Sequence, residues 1–243
     1  MAGQEGGARG HFDSIYAERA DAYHEMVMRE DPAGNLRAVL PGVVDVRAKT
    51  VAELGAGTGR VTKILAREAA QVRAFDRAEH MLARARLYLA EEIARGVVTL
   101  NLAENLSLPL ADASVDAVVE GWSFGHTVSI SSDAWRDAAK ALLAESSRVL
   151  RAGGTLVLIE TLGTGAKTPS PPGPILPLFY AWLEKEQGFS ARTIRTDYVF
   201  ESVAQARALT EFFFGALPEH DLHANGSVTV PECTGLWWRR KEG

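Results

Sequence analysis

The 243-residue chain has a single cysteine, Cys233, which excludes an intrachain disulfide framework and a cysteine-based zinc cluster. A reducing compartment is in keeping with that. Basic charge is also short. The 26 Lys and Arg against 31 Asp and Glu leave a formal charge of -5, and basic residues cluster only at Arg239-Arg240-Lys241. A surface that draws its affinity from neutralising phosphates needs the opposite balance, so nucleic acid is not expected as a partner. No apolar run reaches the ~20 residues that span a bilayer; the longest lie around residues 174–183 and 212–217. Residues 1–10 are polar, Gly-rich and expected to be flexible, and they lack the apolar centre of a signal peptide. A soluble, cytoplasmic protein, monomer or homodimer, is the expectation.

The 47% hydrophobic and 23% charged residues are those of an ordinary globular chain, and the length suits one α/β domain. Residues 12–30 carry apolar side chains at helical spacing (Phe12, Ile15, Tyr16, Tyr23, Met26, Val27), with a second short helix at 35–40. An N-terminal helical cap over 11–45 is therefore predicted. Strands then alternate with amphipathic helices: strands at 50–54, 71–75, 97–101, 115–120 and 155–160, and helices from 60, over 79–95, and from a Ser132 or Asp133 cap to about 150. That alternation predicts a doubly wound, mostly parallel sheet covered on both faces. Residues 161–177, rich in Gly, Thr and Pro, read as a long loop. Further elements are expected at 178–187 (helix), 193–200 (strand) and 202–214 (helix). Residues 228–240, broken by Pro231 and Gly235, read as antiparallel edge or hairpin strands. One domain is expected, with residues 46–160 as its binding core and 161–243 as substrate-side elements.

The chemistry is signalled by Glu53-Leu54-Gly55-Ala56-Gly57-Thr58-Gly59, which leaves a buried strand and enters a helix. Glycines here allow a tight turn and close approach of a ligand to the backbone. A P-loop would need Lys and Ser/Thr after the last glycine, where Arg60-Val61 stands. The dinucleotide fingerprint is also missed, because its third glycine comes one residue early. Glu53 would repel a phosphate and attract an ammonium group. Asp76 ends the second strand, where a carboxylate can accept hydrogen bonds from both ribose hydroxyls of a nucleoside.

These residues resemble the first motif of the class I S-adenosylmethionine-dependent methyltransferases. Ala74-Phe75-Asp76, Ala103-Glu104-Asn105-Leu106 and Val149-Leu150-Arg151-Ala152-Gly153-Gly154 are similar to that family's later motifs in order and spacing. The flavour is that of the small-molecule branch that includes the ubiquinone and menaquinone biosynthesis enzymes. The resemblance implies a Rossmann-like fold, S-adenosylmethionine as cofactor, S-adenosylhomocysteine as product and a small-molecule acceptor. It implies that Gly55, Ala56, Gly57 and Gly59 lie beneath the methionine part, with Glu53 near its ammonium and Asp76 on the ribose. Arg77 and Met81 would flank the adenine, with Ala103, Glu104 and Asn105 along its far edge. Leu102 stands where this branch commonly has an adenine-binding Asp, so backbone groups or Glu104 and Asn105 must take that role. Tyr23 belongs to a helix that closes over the cofactor in this family, and Glu120-Gly121-Trp122 ends the fourth strand on the methyl-transfer face. His126 and Glu160 are the candidate bases. No metal-ligand cluster is evident. The alternatives are a non-catalytic cofactor-binding protein, or an enzyme acting on RNA or protein.

Overall fold

The computed structural model describes Ile15 and residues 18–242. The expectations placed on residues 1–10, Phe12 and Tyr16 lie outside the described residues. Within them α1 (Ala20–Val27) and α2 (Asn35–Val39) precede β1 (Thr50–Leu54). The core then runs α3 (Arg60–Leu65), β2 (Gln71–Asp76), α4 (Glu79–Tyr88), α5 (Ala90–Ala94), β3 (Val98–Leu102), β4 (Val115–Gly121), α6 (Phe124–Ile130), α7 (Trp135–Val149) and β5 (Leu150–Thr164). The remainder is α8 (Ile175–Lys185), β6 (Ser190–Arg195), β7 (Tyr198–Phe200), α9 (Val203–Phe214), β8 (Asp221–Leu222), β9 (Val228–Val230) and β10 (Glu232–Arg240).

Seven strands form one sheet in the order β3-β2-β1-β4-β5-β10-β6. The first five are parallel, and β10 pairs antiparallel with both β5 and β6. The predicted Rossmann-like sheet with an antiparallel C-terminal side is therefore what forms. Strand residues alternate between faces, and here both faces are apolar. Val51, Ala117 and Val119 pack with Leu65 and Ala85 on one side, while Ala52, Leu54 and Val118 pack with Phe124, Leu142 and Phe179 on the other. The order reverses between β1 and β4, and in open α/β sheets ligands bind outside the carboxyl ends of strands at such a switch point.

Five local expectations are corrected. The helix predicted over 79–95 breaks at Leu89, which leaves helical geometry (φ -105°, ψ 18°). Its side chain packs where a Cβ on Gly59 would come within 2.7 Å. The helix at α7 is not capped by Ser132 or Asp133; these lie in a 3-10 turn, and no side chain caps it. The loop predicted to begin at 161 starts later, because β5 runs on to Thr164 along β10. The strand predicted over 193–200 is two strands in different sheets. Asp197 between them accepts bonds from the Arg195 guanidinium (2.9 and 2.6 Å) and the Glu232 amide (2.9 Å). Finally, β10 is interior rather than an edge, and Gly235 is the place where the Trp237 ring lies against the strand.

A three-stranded sheet, β7-β9-β8, stands apart from the main one. It packs with Met26, Val27 and Phe212–Phe214, and an isolated bridge ties Tyr198 to Glu30 just beyond α1. This brings the N-terminal and C-terminal elements together over the carboxyl end of β1.

Candidate cofactor and acceptor site

The loop after β1 is shaped by close approach. At Gly55 (φ +70°) a Cβ would sit 2.5 Å from the Ser123 side chain, so only glycine lets this loop touch the end of β4. The Gly57 amide donates to Asp76 Oδ2 (2.7 Å) and the Ala78 amide to Asp76 Oδ1 (2.8 Å). Asp76 therefore fixes the loop to β2. The Arg77 amide also acts on this carboxylate, and with two acceptor sites on each oxygen capacity remains for a further donor. Burial raises the Asp76 pKa, against the lowering effect of these amides.

Two cavities open here. One, of about 260 Å³, is bordered by Asp76, Arg77, Met81, Glu104, Asn105 and Leu106, with Ser123, Thr127 and Ile130 opposite. The other, of about 570 Å³, is bordered by Glu53, Ala56, Thr58, Arg60, Met26 and Val27, and by Phe213, Phe214, Tyr198 and Glu232 from the C-terminal elements. Tyr23, Gly55, Gly57, Gly121, Trp122 and His126 border both, so the two spaces meet at the end of β4. Trp122 has φ +51°, a strained conformation for a bulky residue, and the Arg60 guanidinium lies 4.2 Å from its ring centroid.

Of the residues singled out from the sequence, Gly59, Ala103, Glu120 and Glu160 border neither cavity. Gly59 admits Leu89, as described, and Ala103 packs against the core. The two acids do something sequence did not suggest. Glu120 Oε1 accepts from the Ser123 amide (2.5 Å), the Ser123 hydroxyl (3.0 Å) and the Phe124 amide (3.0 Å). Glu160 Oε1 accepts from the Gly125 amide (2.5 Å). Together they satisfy the exposed amides at the start of α6, which a helix leaves without partners. The chain beyond the end of β4 is therefore helical from Phe124. Burial pushes Glu120 up to about 7, and burial with the Glu120 charge pushes Glu160 well above the usual range. The pair holds a proton near neutral pH and acts on the site only through α6. Glu160 is thus a positioning residue, not a base facing the acceptor. Accordingly, Glu160→Gln, whose amide oxygen can still accept from Gly125, is expected to keep methyl-transfer turnover. A carboxylate base would instead forfeit about 10²–10⁴-fold in turnover on that change.

His126 lies on α6 where the cavities meet. Burial, then the nearby Arg77 charge, lowers its pKa to about 4, so the imidazole is neutral at pH 7 and can accept a hydrogen bond. Burial raises the Tyr23 phenol to about 12, which keeps it protonated; its ring lies 5.5 Å from that of Phe213. Glu53 is 1% exposed; the Thr62 amide and hydroxyl face its carboxyl, and its Oε2 is left without a hydrogen-bond partner. Burial pushes this carboxyl up to about 8, against the lowering effect of Thr62. A buried acceptor left unpaired beside a glycine loop is costly unless a ligand answers it, and an ammonium group fits.

Residues 52–158 match the family model described as a methyltransferase domain. That stretch, which carries the Gly55 loop, Asp76 and the end of β4, is similar to the domain of S-adenosylmethionine-dependent methyltransferases. An uncharacterized methyltransferase of Mycobacterium tuberculosis is 38% identical over 114 residues, covering 46% of this chain and 40% of that protein. The match thus spans less than half the length of the curated relatives. Among solved structures, phosphoethanolamine N-methyltransferase 1 of Haemonchus contortus, in complex with phosphoethanolamine and S-adenosylhomocysteine, superposes with a TM-score of 0.54 at 17% identity. That match covers 100% of this chain and 50% of the other. The [4+2]-cyclase SpnF superposes with a TM-score of 0.56 at 18% identity, over 85% of this chain and 80% of the other. Identities this low show the fold, and the second neighbour marks that the fold alone does not fix the reaction.

The site also has residues that the sequence did not single out. Ser123, Thr127 and Ile130 border the smaller cavity because α6 forms. Glu30, Arg60, Tyr198 and Glu232 form a polar wall of the larger one. The one visible signal was Glu232, an acid in the apolar run from Val228 to Trp238. Among the described residues, no helix is long and apolar enough to cross a membrane.

Proposed function

We propose that this protein transfers a methyl group from S-adenosylmethionine to a small-molecule acceptor held in the larger cavity. The observation that carries the reading is the buried, unpaired Glu53 carboxyl oxygen beside the Gly55–Gly57 backbone, in a cavity that joins the one bordered by Asp76. Glu53, Gly55, Ala56, Gly57 and Tyr23 would hold the methionine part of the cofactor. Asp76 would take the ribose, and Arg77, Met81, Glu104 and Asn105 would flank the adenine. The Asn105 side-chain amide donates to Ser123 Oγ (3.1 Å), which leaves its oxygen to accept from the adenine amino group in place of the Asp that Leu102 replaces.

When bound, S-adenosylmethionine supplies a methyl group on a positively charged sulfur that a nucleophile can displace. Alignment by the surrounding residues can contribute about 7–11 kcal/mol to such a step. His126 is neutral at pH 7 and can accept a hydrogen bond from the acceptor, but a pKa near 4 makes it a weak base, so alignment and not proton transfer carries the step. Tyr23 and Trp122 border the junction of the cavities, and the Phe213 ring lies 5.5 Å from that of Tyr23. Phe213, Phe214, Met26 and Val27 give the acceptor space an apolar wall, which suits the aromatic or isoprenoid-like acceptors of the branch the sequence resembles. The charge of -5 favours such an acceptor over nucleic acid.

Calorimetric titration with S-adenosylhomocysteine tests the reading. Micromolar binding is expected, with no binding of NAD⁺. Glu53→Gln should weaken it about 10–100-fold, since a charge-assisted hydrogen bond contributes about 1.5–3 kcal/mol. Well-folded protein that ignores S-adenosylhomocysteine would sink the proposal.

A further inference from the structure

The larger cavity holds two more buried carboxyl oxygens that nothing in the cofactor site uses. Glu30 is 8% exposed and Glu232 is 2% exposed, and both border the space. Glu30 Oε2 pairs with Arg60 Nη1 (2.7 Å), but its Oε1 has no partner. Glu232 Oε1 accepts from the Thr161 hydroxyl (2.7 Å), and its Oε2 likewise has none. The two acids come together because β7 lies between them. Glu30 bridges to Tyr198, and Asp197 next to it accepts from the Glu232 amide.

The charges there do not balance. Arg60 answers one carboxylate and is itself committed to Glu30 and to the Trp122 ring. The second carboxyl, Glu232, has the Thr161 and Thr164 side chains and the more distant Arg60 beside it but no cation of its own among the described residues, in a space whose apolar wall is Phe213, Phe214, Met26 and Val27. An arriving cation can ionise Glu232, and its freed oxygen and Glu30 Oε1 then accept from a donor-rich group, whereas a carboxylate or phosphate finds no described cation here beyond the committed Arg60. We propose that the acceptor carries a protonated amine on an apolar body, its ammonium held between Glu30 Oε1 and Glu232 Oε2. This rests on the reading of the larger cavity as the acceptor space. An ammonium has no lone pair to attack with, so the amine is a handle, and the methylated atom is a different one, lying where Trp122 and His126 border both cavities.

Burial, then the Glu30 charge, holds Glu232 up to about 8. The groups facing it are Glu30, Arg60, Tyr198, Tyr180, Cys233, Thr161 and Thr164. Near pH 7 an arriving ammonium would therefore displace a proton from Glu232 on binding.

The test uses the full chain saturated with S-adenosylhomocysteine and three isosteric probes: 2-phenylethylamine, 2-phenylethanol and 3-phenylpropionate. Binding of the product is checked first; its failure would overturn the methyltransferase reading itself. Given that binding, the amine is expected to bind at least about tenfold more tightly than the alcohol, the range of one hydrogen bond to a charged group, and the acid not at all. Calorimetry in buffers of different ionisation heat should find a proton released with the amine. Glu232→Gln should erase the preference and the proton release while leaving S-adenosylhomocysteine affinity unchanged. Equal binding of amine and alcohol by the unaltered protein, or a preference that survives in Glu232→Gln, would overturn the proposal.

Discussion

Gly55→Val is expected to abolish S-adenosylhomocysteine binding, raising its Kd at least about 100-fold, while circular dichroism keeps its native form. Two costs add at this position. With φ at +70°, a side chain is strained in the left-handed region by about 1–2 kcal/mol, more when β-branched. The new Cβ would also lie 2.5 Å from the Ser123 side chain and 3.3 Å from the Gly121 carbonyl oxygen. Ser123 cannot yield, because its amide and hydroxyl are both held by Glu120 Oε1. Overpacking of that kind costs about 1–3 kcal/mol. The loop must lift off the end of β4, and the ligand cradle goes with it. A Tm drop of about 5–15 °C should accompany the change, since each kcal/mol is worth about 2–4 °C in a chain of this size. Gly59→Ala is the control. Its φ is +93° and its Cβ would come nearest to the buried Leu89 side chain, away from the end of β4, so stability should fall while binding stays close to normal. A Gly55→Val protein that binds as well as the parent would place the cofactor elsewhere.

The contrast between these two glycines also marks what the sequence could and could not reveal. Gly55, Gly57 and Asp76 were legible because strand, loop and strand end follow one another within a few residues and obey local rules. The parallel core was legible for the same reason. The start of α6 was not, since its amides are satisfied by Glu120 and Glu160, acids on the two strands β4 and β5, and not by a neighbouring Ser or Asp. That hidden cap also explains why Glu160 looked like a base: it stands on the functional edge but turns toward a helix. The acidic wall of the larger cavity was out of reach altogether. Glu30 and Glu232 lie at opposite ends of the chain and meet only through the bridge at Tyr198 and the register of β5 with β10. Pro231 and Gly235 suggested an edge, but Gly235 serves the Trp237 ring inside the sheet.

The same buried acids give the protein without cofactor an unusual pH dependence. Burial holds Glu53 and Glu232 up to about 8 and Glu120 up to about 7, whereas in the unfolded chain a Glu ionises near ~4.3. Between those values the folded state binds protons that the unfolded state has lost, so stability falls as pH rises. His24 and His126 are shifted down and act with the opposite sign, but only below about pH 6.5, where an unfolded histidine takes up its proton. Asp116, Glu145 and Glu92 are lowered by their Arg, Lys or backbone partners, and their stabilisation is lost only on the acid side of the ordinary Glu range. The window from about pH 6.5 to about pH 8 therefore belongs to the raised carboxyls, each contributing up to about 1.4 kcal/mol per pH unit. After allowance for relaxation around the buried charges, chemical denaturation should find about 2–4 kcal/mol less stability at the upper end, or a Tm lower by about 5–15 °C. Glu53→Gln should flatten the slope by one group. Saturating S-adenosylhomocysteine should flatten it similarly, because an ammonium pairs with ionised Glu53 and removes its preference for the protonated form. A stability that is level or rising across this window would mean that Glu53 and Glu232 are already ionised in the empty protein. The unpaired oxygens that define both ends of the larger cavity would then have partners of their own.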